Sequence, residues 1–355
     1  MKSLKKKALQ QYQSHEGNYQ ICTSFPLKKE EDLATMYYPG INDVIEKIEK
    51  KPANQHKFCS LPFSVGVISS CKTTQYPIIS AKAALLSHVA ALNAIPLTLK
   101  YGKPQNIPTI LNQLSPNFQA YYVTNVSQLE EEIIRDNIKK IDRPVIFHTE
   151  SMALGVIASA LAAARMMKSK PAKVHITLEG SDRLAKEITA HLKSYKFSNI
   201  TLLDEDGPLY AKKPMMNRDK IELVNIIKSK KDHRSRDEVL GATEIYISTM
   251  HQNISSQLSS KLNAKATIIA LNSEEIVKQS KQSLISTLPH LENHISDLHI
   301  AAIMLSAACI GKDIDGKTLK KATESMANFH PTPKGKKIIP GLLDKKLVTK
   351  GLKKM

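Results

Sequence analysis

The sequence predicts an α/β fold whose second half is built on a parallel sheet. Three consecutive patterns between residues 172 and 207 favour this fold class. Apolar residues alternate with a period of two at 174–178, recur at helical spacing over 184–192, and form a second apolar run at 200–203. A strand, a crossover helix and a parallel strand within about 35 residues form the opening of a nucleotide-binding type of sheet.

The turn inside this unit departs from the pattern of a dinucleotide site. Such a site has the sequence G-x-G-x-x-G, because glycines let backbone N–H groups approach the pyrophosphate at the start of the helix. Here the turn contains one glycine, Gly180, followed by Ser181. Glu179 and Asp182 flank this pair, and their carboxylates are expected to repel phosphates. The scaffold is therefore that of a dinucleotide-binding domain with a lost or altered site.

Strands and helices also alternate before residue 150. The 355 residues are 42% hydrophobic, which is enough for two buried cores. We place the domain boundary near residue 150 and predict one domain at 1–150 and another at 151–355. The predicted elements outside residues 172–207 are helices 3–13, 42–50, 78–92, 107–114, 128–137, 151–167, 219–228, 257–262 and 298–309 and strands 21–26, 63–69, 95–99, 121–126, 144–147, 244–248 and 267–271.

The chain is strongly basic, with a formal net charge of +18. Most of this charge comes from lysines spread in pairs and triples, and only residues 228–236 approach a basic patch, which Asp232 interrupts. Aromatic residues make up 5% of the chain and Trp is absent, so no stacking platform for single-stranded nucleic acid is evident. We interpret the lysines as a solvated surface and do not expect nucleic acid as a partner.

Cysteine usage and hydropathy favour a cytoplasmic protein without a membrane partner. The four cysteines form no C-x-x-C pair, so we expect free thiols in a reducing compartment. The longest uncharged apolar run, residues 151–164, is too short to span a bilayer. No signal peptide is visible after the basic residues at the start.

Several short motifs follow one another in a specific order along nearly the whole chain. The motifs are PLKKEEDL at 26–33, YYPGI at 37–41, PIISAKAAL at 77–85, LSPNF at 114–118, RPVIFHTE at 143–150 and IIPGLLD at 338–344. In order and spacing they resemble the malic enzyme family, in its short prokaryotic-type form.

The resemblance implies a fold, a reaction and an assembly. It implies an N-terminal malic-enzyme α/β domain at 1–150 and a Rossmann-like NAD(P)-binding-type domain at 151–355, with C-terminal helices that return to the first domain. The family oxidises malate with NAD or NADP and decarboxylates the product to pyruvate, using Mg²⁺ or Mn²⁺. A homo-oligomer such as a dimer is implied, or a hetero-oligomer with an active paralogue, acting on a small-molecule acid.

Two residues match the proton-transfer pair of the family. Tyr38 corresponds to the general acid and Lys82, on an alanine-rich predicted helix, to the base. The chemistry requires such a pair, because protons must leave the substrate hydroxyl and reach the product. The alternative is that Tyr38 packs a turn and Lys82 extends its charged end into solvent.

The other functional positions are altered. The metal-binding carboxylates of the family fall at Thr124, Asn125 and Glu150, so one carboxylate of three remains. Because hard cations prefer anionic oxygens, we expect weak metal binding, and Glu150 is alternatively a residue of a helix start. Gly180 and Ser181 fall at the cofactor-binding turn. Asn272 matches the substrate-binding asparagine of the family.

These replacements predict a malic-enzyme-like protein that is impaired or inactive as a malic enzyme and acts as a binding or regulatory homologue. Two alternatives stay open. One is an active enzyme that uses Tyr38 and Lys82 on malate or on another carbonyl acid. The other is a basic module that binds anions or nucleic acid.

Overall fold

The chain divides into two compact units, described separately below. The first comprises residues 1–146 and 305–313, and the second comprises 147–304 and 314–355. The structure is a computed structural model that describes residues 2–15, 17–22, 24–25, 27–70, 72–100, 103–229, 231–250, 253–271, 275–286, 297–328 and 346–354.

The first unit contains a four-stranded sheet flanked by helices. Its elements are α1 (Lys2–Ser14), α2 (Glu30–Met36), α3 (Gly40–Lys50), α4 (Gln55–Phe58), β1 (Ser64–Ser69), α5 (Tyr76–Ala90), β2 (Asn93–Thr98), α6 (Ile107–Leu114), β3 (Ala120–Val123), α7 (Gln128–Asp136) and β4 (Val145–Phe147). The strand order is β2-β1-β3-β4, and β1 runs parallel to both β2 and β3. The carboxyl ends of β1 and β3 therefore lie at the same edge of the sheet.

The register of β1 against β3 sets the core of this unit. Gly66 of β1 is the partner of Tyr121 of β3. A Cβ atom on Gly66 would approach the Tyr121 ring to 3.0 Å, so a larger residue would require this buried ring to move. Tyr121 is fully buried, and its hydroxyl donates to the Leu111 carbonyl at 2.6 Å. Burial raises the pKa of Tyr121 to about 12.

The second unit is built on a six-stranded sheet. Its elements are α8 (His148–Met166), β5 (Ile176–Glu179), α9 (Arg183–Ser194), β6 (Ile200–Asp204), β7 (Gly207–Pro208), α10 (Arg218–Ile227), α11 (Arg236–Ala242), β8 (Ile245–Ser248), α12 (Ser256–Lys261), β9 (Thr267–Ala270), β10 (Ser283–Ser286), α13 (Asp297–Cys309), α14 (Gly316–Ala327) and α15 (Lys346–Lys354). The last residues of α13 belong to the first unit, whereas α14 and α15 belong to the second.

The order of these strands confirms the predicted Rossmann-like topology. The sheet runs β10-β9-β8-β5-β6-β7, and only β7, two residues long, is antiparallel to its neighbour. Counted from β5, this is the 3-2-1-4-5-6 order of a doubly wound dinucleotide-binding fold. The strand order reverses between β5 and β8, so their carboxyl ends flank the crevice in which such folds bind ligands.

Helix α8 forms the centre of the second unit. Nearly every position from Ser151 to Ala164 is buried, and the helix packs against α9 and α14. Its alanine-rich sequence suits this position, because small side chains let neighbouring helices approach closely while still removing apolar surface from water. No helix in the described part of the chain is long and apolar enough to cross a membrane.

Two local predictions differ from the structure. The predicted strand at 21–26 is wrong for residues 21, 22, 24 and 25, which have no strand pairing, and Ile21 is 81% exposed. Helix α11 was not predicted, although it carries a sequence signal. The Ser235 hydroxyl accepts from the backbone of Glu238, whose carboxylate accepts from the backbone of Ser235, which is the reciprocal S-x-x-E capping box.

Asp204 ties the end of β6 to the segment that follows it. Its carboxylate accepts from Lys213 Nζ at 3.0 Å and from Lys220 Nζ at 2.8 Å. Burial raises the pKa of the Asp204 carboxyl, but the hydrogen bonds and charges of Lys220 and Lys213 outweigh it. The pKa therefore lies below its ordinary value of 3.8.

We expect Asp204→Asn to lower the free energy of unfolding by about 2 kcal/mol at neutral pH, because two charge-assisted hydrogen bonds are lost. The folded-state pKa is depressed, so this stabilisation is present above 3.8 and is lost as the pH falls through the lower folded value. Urea unfolding at about pH 7 and about pH 3 measures the difference, which should shrink in acid. Asp206→Asn, at an exposed neighbouring position, is the control and should change little. A loss that is equal in the control or independent of pH would contradict the assignment.

Candidate functional site

Lys82 lies at the carboxyl edge of the first sheet. Helix α5 directs its ammonium to the two residues that follow β3. Lys82 Nζ donates to Thr124 Oγ1 at 2.5 Å and to Asn125 Oδ1 at 3.1 Å. Thr124 is 1% exposed, and its hydroxyl donates to Asn125 Oδ1 at 3.0 Å. The structure thus brings together three residues that the sequence placed at separate family positions.

The carboxylate of Glu130, in the same unit, accepts hydrogen bonds that connect α7 to the end of β1. Glu130 is 7% exposed and closes the capping box of α7 with Ser127. Its Oε2 also accepts from Ser70 Oγ at 2.8 Å, just beyond the end of β1. Ser69 Oγ donates to the Asn125 carbonyl at 3.1 Å. These contacts hold together the segments that follow β1 and β3, near Lys82. The Glu130 carboxylate forms its hydrogen bonds with the protein itself.

Tyr38 takes no part in these hydrogen bonds. It lies between α2 and α3, is 69% exposed, and its hydroxyl makes no hydrogen bond to another described residue. Within a single copy of the first unit, the predicted acid and base therefore do not share a hydrogen-bond network.

The residues around Lys82 do not fit a divalent metal ion. The oxygens at the two predicted ligand positions are neutral, and an ammonium group hydrogen-bonds to both. A divalent ion about 4 Å from an ammonium is repelled by about 2 kcal/mol even at the dielectric constant of water. No group of three or more His, Cys, Asp or Glu side chains among the described residues could hold a metal. Glu150 lies in the first turn of α8, where a carboxylate favours the positive end of the helix.

The turn after β5 is filled by the protein's own side chains. Gly180 has φ +133°, and a Cβ atom there would lie 2.0 Å from Thr249 Oγ1, so the position requires glycine. Asp182 caps α9 by accepting from the Ala185 backbone at 2.8 Å. The same Asp182 oxygen accepts from Thr249 Oγ1 at 3.0 Å. A carboxylate of this chain therefore occupies the helix start at which a pyrophosphate binds in related folds.

Glu179 does not present the free charge that the sequence suggested. It is 2% exposed, and Arg236 donates to its Oε1 at 2.7 Å. The Tyr246 hydroxyl donates to its other oxygen. Burial, followed by the Glu179 charge, raises the pKa of Tyr246 well above its ordinary value. The sequence did not indicate Arg236, Tyr246 or Thr249, because their roles depend on strand neighbours distant in the chain.

The space beside this turn is small. A cavity of about 140 Å³ lies at the carboxyl ends of β5 and β6. Sites for small molecules and cofactors usually enclose about 300–1,000 Å³. Gly180 and Ser181 line this cavity, together with Asp204. The Asp182 cap and the position of Thr249 against Gly180 do not fit a pyrophosphate bound as in related folds. The predicted substrate residue Asn272 lies outside the described residues.

Comparison of the sequence identifies relatives of one kind. No protein-family model matches the chain. It is 25% identical over 165 residues to NAD-dependent malic enzyme 1 of Bacillus subtilis, covering 43% of this chain and 38% of that protein. It is 22% identical over 268 residues to the NADP-dependent malic enzyme of Escherichia coli, covering 71% of this chain and 35% of that protein. The matched region thus spans well under half the length of these relatives.

The same fold occurs in solved malic enzyme structures. The NAD-dependent malic enzyme of Thermotoga maritima superposes with a TM-score of 0.80 at 19% identity, covering 98% of both chains. The malic enzyme of Entamoeba histolytica gives a TM-score of 0.83 at 14% identity, covering 99% of this chain and 80% of that one. The chain is therefore similar in sequence to malic enzymes and has the fold of the solved malic enzyme structures.

Proposed function

We propose that this malic-enzyme-like protein is impaired or inactive in the oxidative decarboxylation of malate and acts as a binding or regulatory homologue. The observation that carries the proposal is the pair of hydrogen bonds from Lys82 to Thr124 and Asn125. A group that abstracts a proton from a metal-bound hydroxyl needs carboxylates beside it to hold the metal. Here the lysine is held by neutral oxygens at those positions.

The turn after β5 supports the same proposal independently. The homologues in Bacillus subtilis and Escherichia coli are NAD- and NADP-dependent enzymes. Hydride transfer from malate requires a bound dinucleotide. In this chain Asp182 caps the helix start and Thr249 contacts Gly180. An NAD or NADP pyrophosphate would meet a carboxylate there, and the repulsion opposes binding.

One alternative function keeps the lysine active. Lys82 is partly buried at the edge where parallel strands present polar groups, which is a suitable place for a general base. An enzyme that acts on malate or another carbonyl acid with Tyr38 and Lys82 would depend on this ammonium. The Lys82→Ala variant therefore separates the two functions.

We expect the purified protein to form no NADH or NADPH from malate in the presence of Mn²⁺ above the rate of Lys82→Ala. The reason is that metal and dinucleotide binding are both opposed by side chains of the chain itself. Absorbance of the reduced cofactor measures the rate. Steady formation that disappears in Lys82→Ala, while the circular dichroism spectrum is unchanged, would overturn the proposal in favour of the active enzyme.

Restoring acidic groups should create a metal site. We expect Thr124→Glu combined with Asn125→Asp to bind Mn²⁺ at least about tenfold more tightly than the unchanged protein, because hard cations prefer anionic oxygens. Electron paramagnetic resonance of free Mn²⁺ measures the affinity. Thr124→Gln is the matched control, with a similar added volume and no charge. Equal binding by the control and the acidic variant would show that charge at these positions does not limit metal binding.

We also propose a homodimer in which a second copy covers the N-terminal helices. Helices α2, α3 and α4 contain no buried residue. Monomeric proteins rarely expose large apolar surfaces, whereas oligomer interfaces consist of them. Between residues 9 and 58, the exposed large apolar side chains are Leu9, Tyr12, Ile21, Phe25, Leu27, Leu33, Tyr37, Tyr38, Ile45 and Phe58.

We expect light scattering to give twice the chain mass of 39.5 kDa. Ile21→Asp combined with Leu33→Asp should shift the protein to the monomer, because a buried unpaired carboxylate opposes association. Met215→Asp is the control, since Met215 is fully exposed in the second unit. A monomer at all concentrations would contradict the proposal. If a dimer forms only when an active malic enzyme is added, the homodimer is wrong and the assembly is a hetero-oligomer.

A further inference from the structure

A cleft of about 710 Å³ opens at the amino ends of the strands of the second sheet. Ile200 and Thr201, which begin β6, lie in its wall. The turn after β5 and Asp204 lie at the opposite, carboxyl ends of the parallel strands. The cleft is therefore separate from the edge at which folds of this type bind their dinucleotide. Its remaining lining residues are Ala172, Lys193, Lys196, Phe197, Ser198, Asn199, Pro208, Leu209, Ile227, Lys228, Ser229, Lys231, Asp232 and Arg234.

The cleft has a strong positive charge. Five of its lining side chains are basic and one, Asp232, is acidic, which leaves a net charge of +4. The carboxyl ends of α9 and α10 also lie here, and each contributes about half a negative charge. About three positive charges therefore remain uncompensated. The basic stretch at 228–236, which the sequence showed as an interrupted patch, supplies three of the five basic groups.

Only some of the basic side chains that line the cleft have a partner within the protein. Arg234 forms two hydrogen bonds from Nε and one from a terminal nitrogen to the Asp232 carboxylate, at 2.6–3.1 Å. Lys193 Nζ donates to the Ile226 carbonyl at 2.7 Å. Among the described residues, no carboxylate forms an ion pair with the ammonium groups of the other three lysines, Lys196, Lys228 and Lys231. Three lysines that surround one cleft are the arrangement that a polyanionic ligand would complement.

The floor of the cleft is apolar. The apolar side chains that a ligand can contact there are Ile200 and Ile227, which are partly exposed, whereas Phe197 and Leu209 are buried, at 1% and 2% exposure. A polar group is present among them, because Arg234 donates to Thr201 Oγ1 at 3.3 Å. An apolar floor below a basic rim fits a ligand that has an apolar or planar part and a separate charged part.

We propose that this cleft binds a small organic polyphosphate of the nucleotide class, with its phosphates on Lys196, Lys228 and Lys231 and its apolar part on the floor. The volume lies within the range of about 300–1,000 Å³ for small-molecule sites. Single-stranded nucleic acid fits less well, because the lining contains one aromatic ring, Phe197, which is buried and offers no stacking surface. This binding requires neither malate nor a metal, so it goes beyond the proposed function and its test is independent of malate turnover.

The experiment is calorimetric titration of the full chain, without divalent metal, with ATP, with tripolyphosphate and with adenosine. We expect ATP to bind more tightly than tripolyphosphate, since only ATP contacts the floor, and adenosine to bind too weakly to detect. Lys196→Gln combined with Lys231→Gln should weaken ATP binding at least about tenfold, because two of the three rim charges are removed. Raising the salt concentration should weaken binding further.

The control variant carries Lys265→Gln and Lys281→Gln. Both lysines are exposed in the same unit outside the cleft, so the net charge changes equally. Unchanged ATP binding by this control supports the site. The inference is overturned if ATP does not bind, if both variants lose ATP binding equally, or if the cleft variant binds ATP as the unchanged protein does. Equal affinity for tripolyphosphate and ATP overturns the role of the floor, and tight RNA binding lost in the cleft variant assigns the surface to nucleic acid.

Discussion

Parallel strand pairing is the constraint on which the rest of this structure depends. Because β1 and β3 run in the same direction, the residues that follow them meet at one edge, and the same holds for β5 and β8. Buried polar groups brought together in this way must form hydrogen bonds with a ligand or with one another. At the carboxyl edges of both sheets, the described hydrogen bonds join side chains of this chain to one another.

Different kinds of side chain make these contacts at the two edges. At the first, the Lys82 ammonium contacts two neutral oxygens where a metal would need anionic ones. At the second, an anion of the protein occupies an anion site, since the Asp182 carboxylate caps α9. The fold of the solved malic enzymes thus occurs here together with these side-chain contacts at both edges.

The buried charges of the second unit follow the same principle. Glu179 is almost fully buried, and Arg236 and the Tyr246 hydroxyl share its two oxygens. An isolated carboxylate at this depth would be strongly destabilising, so the fold requires both partners. At Lys196, Lys228 and Lys231 of the 710 Å³ cleft no described carboxylate forms such a pair, and the proposed ligand site rests on these three lysines.

The sequence by itself determined the α/β class and most element positions, whereas the contact of Lys82 with Thr124 and Asn125 came from the structure. The class and the element positions depend on local periodicity and on spacing along the chain, which the sequence contains directly. It left α4, β7, α11 and β10 unpredicted, and it placed at 21–26 a strand that does not form at residues 21, 22, 24 and 25. The apolar residues there indicate a strand, but no described strand pairs with the segment.

Only the tertiary structure decided how each charge is compensated. The Arg236 partner of Glu179 is 57 residues away along the chain, and Thr249 reaches Asp182 from the end of a different strand. Likewise, the cleft combines the end of α9 with a loop more than 30 residues further on. Electrostatic and hydrogen-bond energies depend on distance in space over a few ångströms. Separation along the chain contains no such information, so strand order and register had to be known before these contacts could be assigned.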